Sequence, residues 1–351
     1  MTQSHMRSWP FVLVAALVLT HGAPAVAAAA SQNPDLSVNA LVLYKNSNRG
    51  YDSTQDNRNG LNLQEAEMQF ASDVDPYWRF VGTFSISQSS DPAAATYTPK
   101  WGISPEEVYA ESIDFNTFTL RVGKFKAALG KHNQLHSHAF PFIDAPLQNT
   151  ELLADEGLND AGVSVSTLLP TSWFSEFTLQ AFNGQSDDDP YFMSSSPGNF
   201  VGVAHFKNLW DLSEELTGEF GLSAASGGNS LGSSTNFYGA DLTFKWRKSL
   251  ERAAIWATEY LQRDLGADRG QGIASWVQCQ LTRRWWIEAR GEYLTASSIK
   301  RKQSFAVAFD PSEFSEIRAQ YDHLNDLGQK DEHRAMLQFN YTIGAHPAHS
   351  Y

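Results

Sequence analysis

Residues 237–247 read F-Y-G-A-D-L-T-F-K-W-R. From Ala240 onward, Ala240, Leu242, Phe244 and Trp246 alternate with Asp241, Thr243, Lys245 and Arg247. A β-strand sends successive side chains to opposite faces, so this stretch has one apolar face and one charged face. Two architectures accept such a strand. A soluble sandwich buries the apolar face in its core. A transmembrane barrel turns that face to lipid and the charged face to an aqueous lumen.

The rest of the chain decides between them. Sixteen segments read as strands: 36–44, 61–71, 77–87, 105–113, 117–125, 160–168, 173–182, 199–206, 216–225, 237–247, 252–262, 272–280, 284–294, 303–309, 313–322 and 332–343. Residues 207–215 read as a single helical turn. The connectors alternate between long and short from end to end. The long ones are 46–60, 88–104, 126–159, 183–198, 226–234, 263–271, 295–302 and 323–331. Outer-membrane barrels show this asymmetry, with longer extracellular loops and short periplasmic turns. A sandwich has no reason to sort its loops by length.

The faces agree with a barrel. Glu65 and Glu67, Arg121, Asp241, Lys245 and Arg247, Glu288, Arg290 and Glu292, and Arg318 fall at positions expected to line the lumen. A dry core cannot hold so many charges, because an unpaired buried charge is costly. Tyr77, Trp78, Trp173, Phe174, Trp246, Trp285, Trp286, Phe314 and Tyr341 stand near strand ends, where lipid-facing barrels carry aromatic girdles.

Compartment follows from the N-terminus. Arg7, the apolar run 11–20 and the small residues of 22–30 form a secretory signal, so residues 1–30 are expected to be cleaved and 31–351 to form one barrel. Cys279 is the only cysteine, which rules out a disulfide-stapled secreted domain. A net charge of -13 excludes nucleic acid as a partner, since phosphate binding needs a basic surface. No G-x-S-x-G, H-E-x-x-H, phosphate-binding loop or dinucleotide fingerprint occurs, so the chain is not read as an enzyme.

The runs 123–147 (G-K-F-K-A-A-L-G-K-H-N-Q-L-H-S-H-A-F-P-F-I-D-A-P-L), 238–247 and 343–351 (I-G-A-H-P-A-H-S-Y) resemble bacterial outer-membrane porins of the phosphate-selective-porin-like superfamily. Some relatives there carry a zinc-regulated or TonB-dependent label. TonB-dependent transporters place a plug before their barrel, whereas strand-like sequence begins here at Leu36. The family's arginine and lysine ladder is not evident, so its substrate is not transferred. The resemblance implies about sixteen strands, a third long loop folded into the lumen, and assembly as a homotrimer. That loop is 126–159. Its Lys126, Lys131, His132, His136, His138 and Asp144 would form a constriction bearing both signs of charge.

The loop's H-x3-H-x-H spacing also offers His132, His136 and His138 as zinc ligands, with Asp144 or water as the fourth. His346 and His349 are expected at the opposite end of the barrel. The expectation is an all-β transmembrane antiparallel barrel in the outer membrane of a Gram-negative bacterium. It would pass small hydrophilic solutes or ions by passive diffusion and need no cofactor. Its partners would be membrane lipid and the outer-membrane assembly machinery. The alternatives are a zinc-linked channel or receptor using the histidine loop, and a soluble exported β-sandwich binding protein.

Overall fold

The computed structural model describes residues 33–49, 59–89, 100–115, 117–153, 157–184, 191–192, 200–230 and 232–344. The signal segment 1–30 and the histidines at 346 and 349 lie outside them. Sixteen strands run in chain order: β1 (Asp35–Ser47), β2 (Gly60–Asp73), β3 (Trp78–Ser89), β4 (Lys100–Ser112), β5 (Thr119–Lys126), β6 (Asn159–Leu168), β7 (Phe174–Phe182) and β8 (Val201–Asp211). They continue with β9 (Leu216–Gly228), β10 (Ser234–Ser249), β11 (Arg252–Leu265), β12 (Asp268–Thr282), β13 (Trp285–Thr295), β14 (Ile299–Ser312), β15 (Ser315–Asp326) and β16 (Glu332–Gly344).

Each strand pairs antiparallel with its sequence neighbours, and β1 pairs with β16, so the sheet closes on itself. Closure removes the two edge strands that an open sheet would expose. It also excludes the soluble sandwich, whose two sheets would remain open. The outward face is apolar: Leu179, Leu222, Trp256, Ile287, Phe305 and Val307 are all exposed there. A surface of this kind is what a strand presents to lipid.

In β10 the burial alternates as the sequence pattern requires. Asp241 and Thr243 are buried inside, while Ala240, Leu242 and Phe244 stand on the outer face. Trp246 is exposed at the turn end, and its indole donates to Glu215 (3.0 Å). Tyr77, Trp173, Phe174, Trp285, Phe314 and Tyr341 are exposed at the same end. Trp286 is a correction: it shares the inward parity of Glu288 and Arg290 and borders a cavity with Glu288 and Arg318.

Two other expectations are corrected. The segment 207–215 is not a helical turn, because β8 continues to Asp211, paired with β7 and with β9. Ladder pairing on both sides outweighs the local helix preference of this Lys/Asn/Leu/Trp run. The alternation of loop lengths holds only in the first half. Beyond β10 the long connectors shrink to 266–267, 296–298 and 327–331, two to five residues against two in each of the turns opposite, 250–251, 283–284 and 313–314. The strands extend past the membrane-scale apolar band with polar residues on both faces. Such segments carry no period-2 signal and read as loop.

Candidate functional site

The described residues of the connector between β5 and β6, 127–153 and 157–158, lie inside the barrel. The connector contains short 3-10 turns at His132–Gln134 and Ser137–Ala139 and one helix, α1 (Leu147–Leu152). Its neck is clipped by Asn133. That side-chain amide donates to the carbonyls of Ala127 (2.8 Å) and Leu158 (3.1 Å), and its oxygen accepts from the Leu158 amide (2.9 Å). Gly130 and Gly157 adopt φ of +69° and +66° beside this clip, a conformation glycine takes without strain.

A buried loop must satisfy its backbone donors, and it has no ladder with which to do so. Here the inward strand residues serve instead. Gln180 accepts from the Ala128 amide (2.8 Å), Ser223 from Gly130 (2.9 Å), Glu259 from His132 (3.1 Å), Gln320 from Ile143 (2.8 Å) and Glu292 from Leu147 (2.5 Å). The polar lumen face is thus partly a set of receptors for the loop. At the long-loop end the lumen is apolar. Leu129, Leu147, Leu152, Leu153 and Leu158 pack there against Phe125, Phe182, Phe237, Leu261, Leu294 and Leu324 of the wall.

At one end of the crossing stands Asp144. Its carboxylate accepts from Arg290 (2.5 Å), Gln320 (2.9 Å) and Lys302, with Arg334 at 4.0 Å. The Arg290 guanidinium also donates to the Asp144 carbonyl (2.8 Å) and covers the Phe142 ring at 4.4 Å. Burial pushes the Asp144 carboxyl up, but Lys302, Arg290 and Arg334 outweigh it and hold the group well below the usual carboxylate range. Glu292 lies 2.8 Å from Arg290 and 3.3 Å from Lys302.

The other end is Lys131. Its ammonium donates to Glu219 (2.9 Å) and to Thr243 (3.1 Å). It borders a cavity of about 370 Å³ between the loop and the β5–β10 wall. Arg121, Lys207, Glu111, Glu176, Glu219 and Asp241 also line it, so both signs of charge face the same space. Arg121 pairs with Glu111 (2.6 Å) and lies over the Tyr109 ring at 4.2 Å.

The remaining sequence-selected residues divide. Lys245 is half-buried on the inner face, and Arg247 is exposed at the turn end. Glu288 accepts from Gln278 (2.9 Å), and Arg318 donates to Glu316 (2.6 Å) and to the Phe140 carbonyl (3.0 Å). Lys126 closes β5 half-buried, its amide donating to Glu107 (3.0 Å). Glu292 and Arg290 are buried and hold the loop, Glu292 accepting from the Leu147 amide and Arg290 donating to Asp144.

The histidine reading needs correction. His132 belongs to neither of the two ligand-like clusters among the described residues. Its ring lies 4.3 Å from that of Phe140, and burial, then Arg290 and Lys126, push its pKa down to about 3. Asp144, the other supposed ligand, is engaged by Arg290 and Lys302. His136 and His138 instead meet glutamates. His136 lies between Glu106 (2.7 Å) and Glu107 (2.8 Å), with Glu67 at 3.1 Å. His138 lies 3.4 Å from Glu67, and the Ser137 hydroxyl donates to Glu65 (3.0 Å).

Sequence reasoning missed Glu106, Glu107, Asn133, Glu259, Lys302, Gln320 and Arg334. Glu106 and Glu107 are adjacent, so period-2 alternation cannot send both inward. The register of β3 on β4 slips between Thr83 and Phe84, and this bulge lets both carboxylates reach the loop. The Ser-Pro-Glu-Glu run at 104–107 was the available signal, since proline inside a strand marks an irregular position.

No family model matches the chain. It is 24% identical over 348 residues to an uncharacterized protein of Aquifex aeolicus (strain VF5), covering 84% of this chain and 71% of that one. Among solved structures it is similar to the anion-selective porin from Comamonas acidovorans, with a TM-score of 0.59 and 10% identity over 89% of this chain and 99% of that one. It is similar also to OmpT, an outer membrane protein of Vibrio cholerae, in its trimer form (TM-score 0.56, 9% identity, 89% and 99% covered). The sixteen-stranded fold is therefore that of outer-membrane porins.

Proposed function

We propose that this chain is an outer-membrane channel for passive diffusion of small hydrophilic solutes or ions, and that it performs no catalysis. The observation that carries this reading is the loop 127–158 crossing a closed barrel beside a charged cavity of about 370 Å³. A transmembrane barrel of this strand number encloses an aqueous interior, and a loop held inside it sets the narrowest cross-section. Lys131, Arg121 and Lys207 line that space together with Glu219, Asp241, Glu111 and Glu176, with Lys131 paired to Glu219 (2.9 Å) and Arg121 to Glu111 (2.6 Å). Selection there would be by size and by a local transverse field rather than by one ligand shape.

The long-loop end would face outside and the turn end the periplasm, in the outer membrane of a Gram-negative bacterium. The likeness to a trimeric outer-membrane protein and the sequence resemblance to porins support a homotrimer. The resemblance also supports placing the chain near the phosphate-selective-porin-like superfamily in architecture, without that group's substrate.

The test is planar-bilayer conductance of refolded protein in asymmetric salt. Discrete channel steps with a measurable reversal potential are expected. A folded, heat-modifiable barrel that gives no steps would overturn the channel.

A further inference from the structure

The third anchor of the loop, against β2 and β4, differs in kind from the other two. His136 Nδ1 lies 3.1 Å from Glu67 Oε2, and His138 Nδ1 lies 3.4 Å from the same oxygen. That oxygen is buried and has no hydrogen-bond partner among the described residues. Two nitrogens, from one 3-10 turn and the residue that precedes it, thus converge on one carboxylate atom. The two rings stack nearly parallel, 5.9 Å apart. Glu106 Oε2 is 2.7 Å from His136 Nδ1. The sets Glu67, Glu106, His136 and Glu65, Glu67, His138 each bring one ligand atom per residue within 4.8 Å of the others, and Glu67 belongs to both.

Charge points the same way. Four carboxylates, those of Glu65, Glu67, Glu106 and Glu107, surround two imidazoles, and Glu67, Glu106 and His136 are buried. A protonated His136 would offset one negative charge, and Lys126 beside Glu106 a second. Arg121, next to Glu107, is already paired with Glu111. A buried excess of negative charge is unfavourable unless a cation balances it.

We propose that Glu67, Glu106 and His136 form a three-ligand site for a divalent transition-metal ion of the zinc class, with His138 against Glu67 at its side, fastening the loop to the β2–β4 wall. An imidazole nitrogen with two carboxylate oxygens and an open position suits such an ion, whereas calcium and magnesium take oxygen ligands. With metal–ligand bonds of about 2.0–2.2 Å, the edges of a tetrahedral shell are roughly 3.3–3.6 Å. The 3.1 Å separation of His136 from Glu67 is close to that scale. The 2.7 Å hydrogen bond between His136 and Glu106 would open as the ring nitrogen exchanges its proton for the ion. His136 Nε2, 2.8 Å from Glu107, then donates outward to a carboxylate, the arrangement that fixes the tautomer of metal-binding histidines. Glu65 is only half-buried, which leaves a way in from the lumen.

The test is calorimetric titration of zinc chloride into the refolded chain lacking residues 1–30, in detergent, independent of any conductance. The wild type is expected to bind zinc, with a large excess of magnesium chloride failing to compete. H136Q/H138Q and E67Q should weaken binding by at least about tenfold. H323Q/H333Q, which removes a second stacked pair at the long-loop rim (4.9 Å), should leave it unchanged. Gel heat-modifiability identifies folded variants; should the double variant not fold, E106Q is read in its place. Absence of zinc binding, equal affinity in the loop variants, or loss confined to H323Q/H333Q would each overturn the site.

Discussion

The two ends of the lumen-crossing loop are held in opposite ways. Asp144 meets Arg290, Lys302 and Gln320 at hydrogen-bonding distance, with Arg334 behind them, and every member is buried. Lys131 donates to Glu219 and to Thr243 beside a cavity. The first end is a many-handed clamp on one anion. The second is a cation that also borders the cavity. One wall therefore fixes where the loop sits, and the other leaves charge of both signs open to the cavity.

Breaking the clamp should have the largest effect. Asp144→Ala leaves Arg290 and Lys302 to share Glu292 alone (2.8 and 3.3 Å), one buried cation in excess, a loss of about 3 kcal/mol in what holds the loop. The expected readouts are a rise in single-channel conductance and faster proteolysis within 127–158. Unchanged conductance with an intact barrel would show that the clamp does not position the loop. The strand beneath the Lys131 end supplies the contrast between lipid and lumen faces. Leu242→Arg should destabilise the barrel by about 2–4 kcal/mol in chemical unfolding, because it places a charge toward mid-bilayer. Lys245→Ala, three residues on and facing inward, should alter ion selectivity and leave the unfolding midpoint nearly in place.

Lys131→Ala should cost less than the loss of Asp144. Glu219 keeps Lys207 at 3.7 Å, so no carboxylate is stranded, and a stability change of about 1 kcal/mol is expected. The signature would be electrical instead: a reversal potential shifted toward cations in asymmetric salt. A stability loss equal to that of Asp144→Ala would erase the distinction between the two ends. The smallest effect within ordinary conditions is that of acid. The folded Asp144 carboxyl titrates below its unfolded value, so its contribution is complete above the unfolded pKa, about 4. It is lost only as pH falls through the depressed folded value. Loop protection should hold from neutral pH to about 4 and fail below it; a midpoint near 6 would implicate another group.

Much of the barrel was legible. The alternation at Ala240–Arg247 gave the correct faces, and sixteen strand segments could be found because period-2 patterning survives wherever one side meets lipid. It failed at the upper strand ends, where Arg263 and Lys302 share their strands with polar outward neighbours. Phe237, Leu261 and Leu294 were a missed signal. Each is apolar at a position whose parity points inward, and each belongs to the seat of the loop. Among the loop residues the types were visible but the partners were not. His132, His136 and His138 share one short span, yet a turn of backbone separates their destinations, and their true neighbours come from β2 and β4.

By itself the sequence determined the all-β class, the strand count and the polarity of each face, because these depend on local alternation and on the solvent each face meets. Only the tertiary structure decided which charges remain open to the lumen and which are consumed. Closing sixteen strands brings Asp144 to residues from 146 to 190 positions away, and a one-residue bulge in β4 delivers Glu106 to His136. Ring closure and register set such meetings, and neither has a period that a linear pattern can carry.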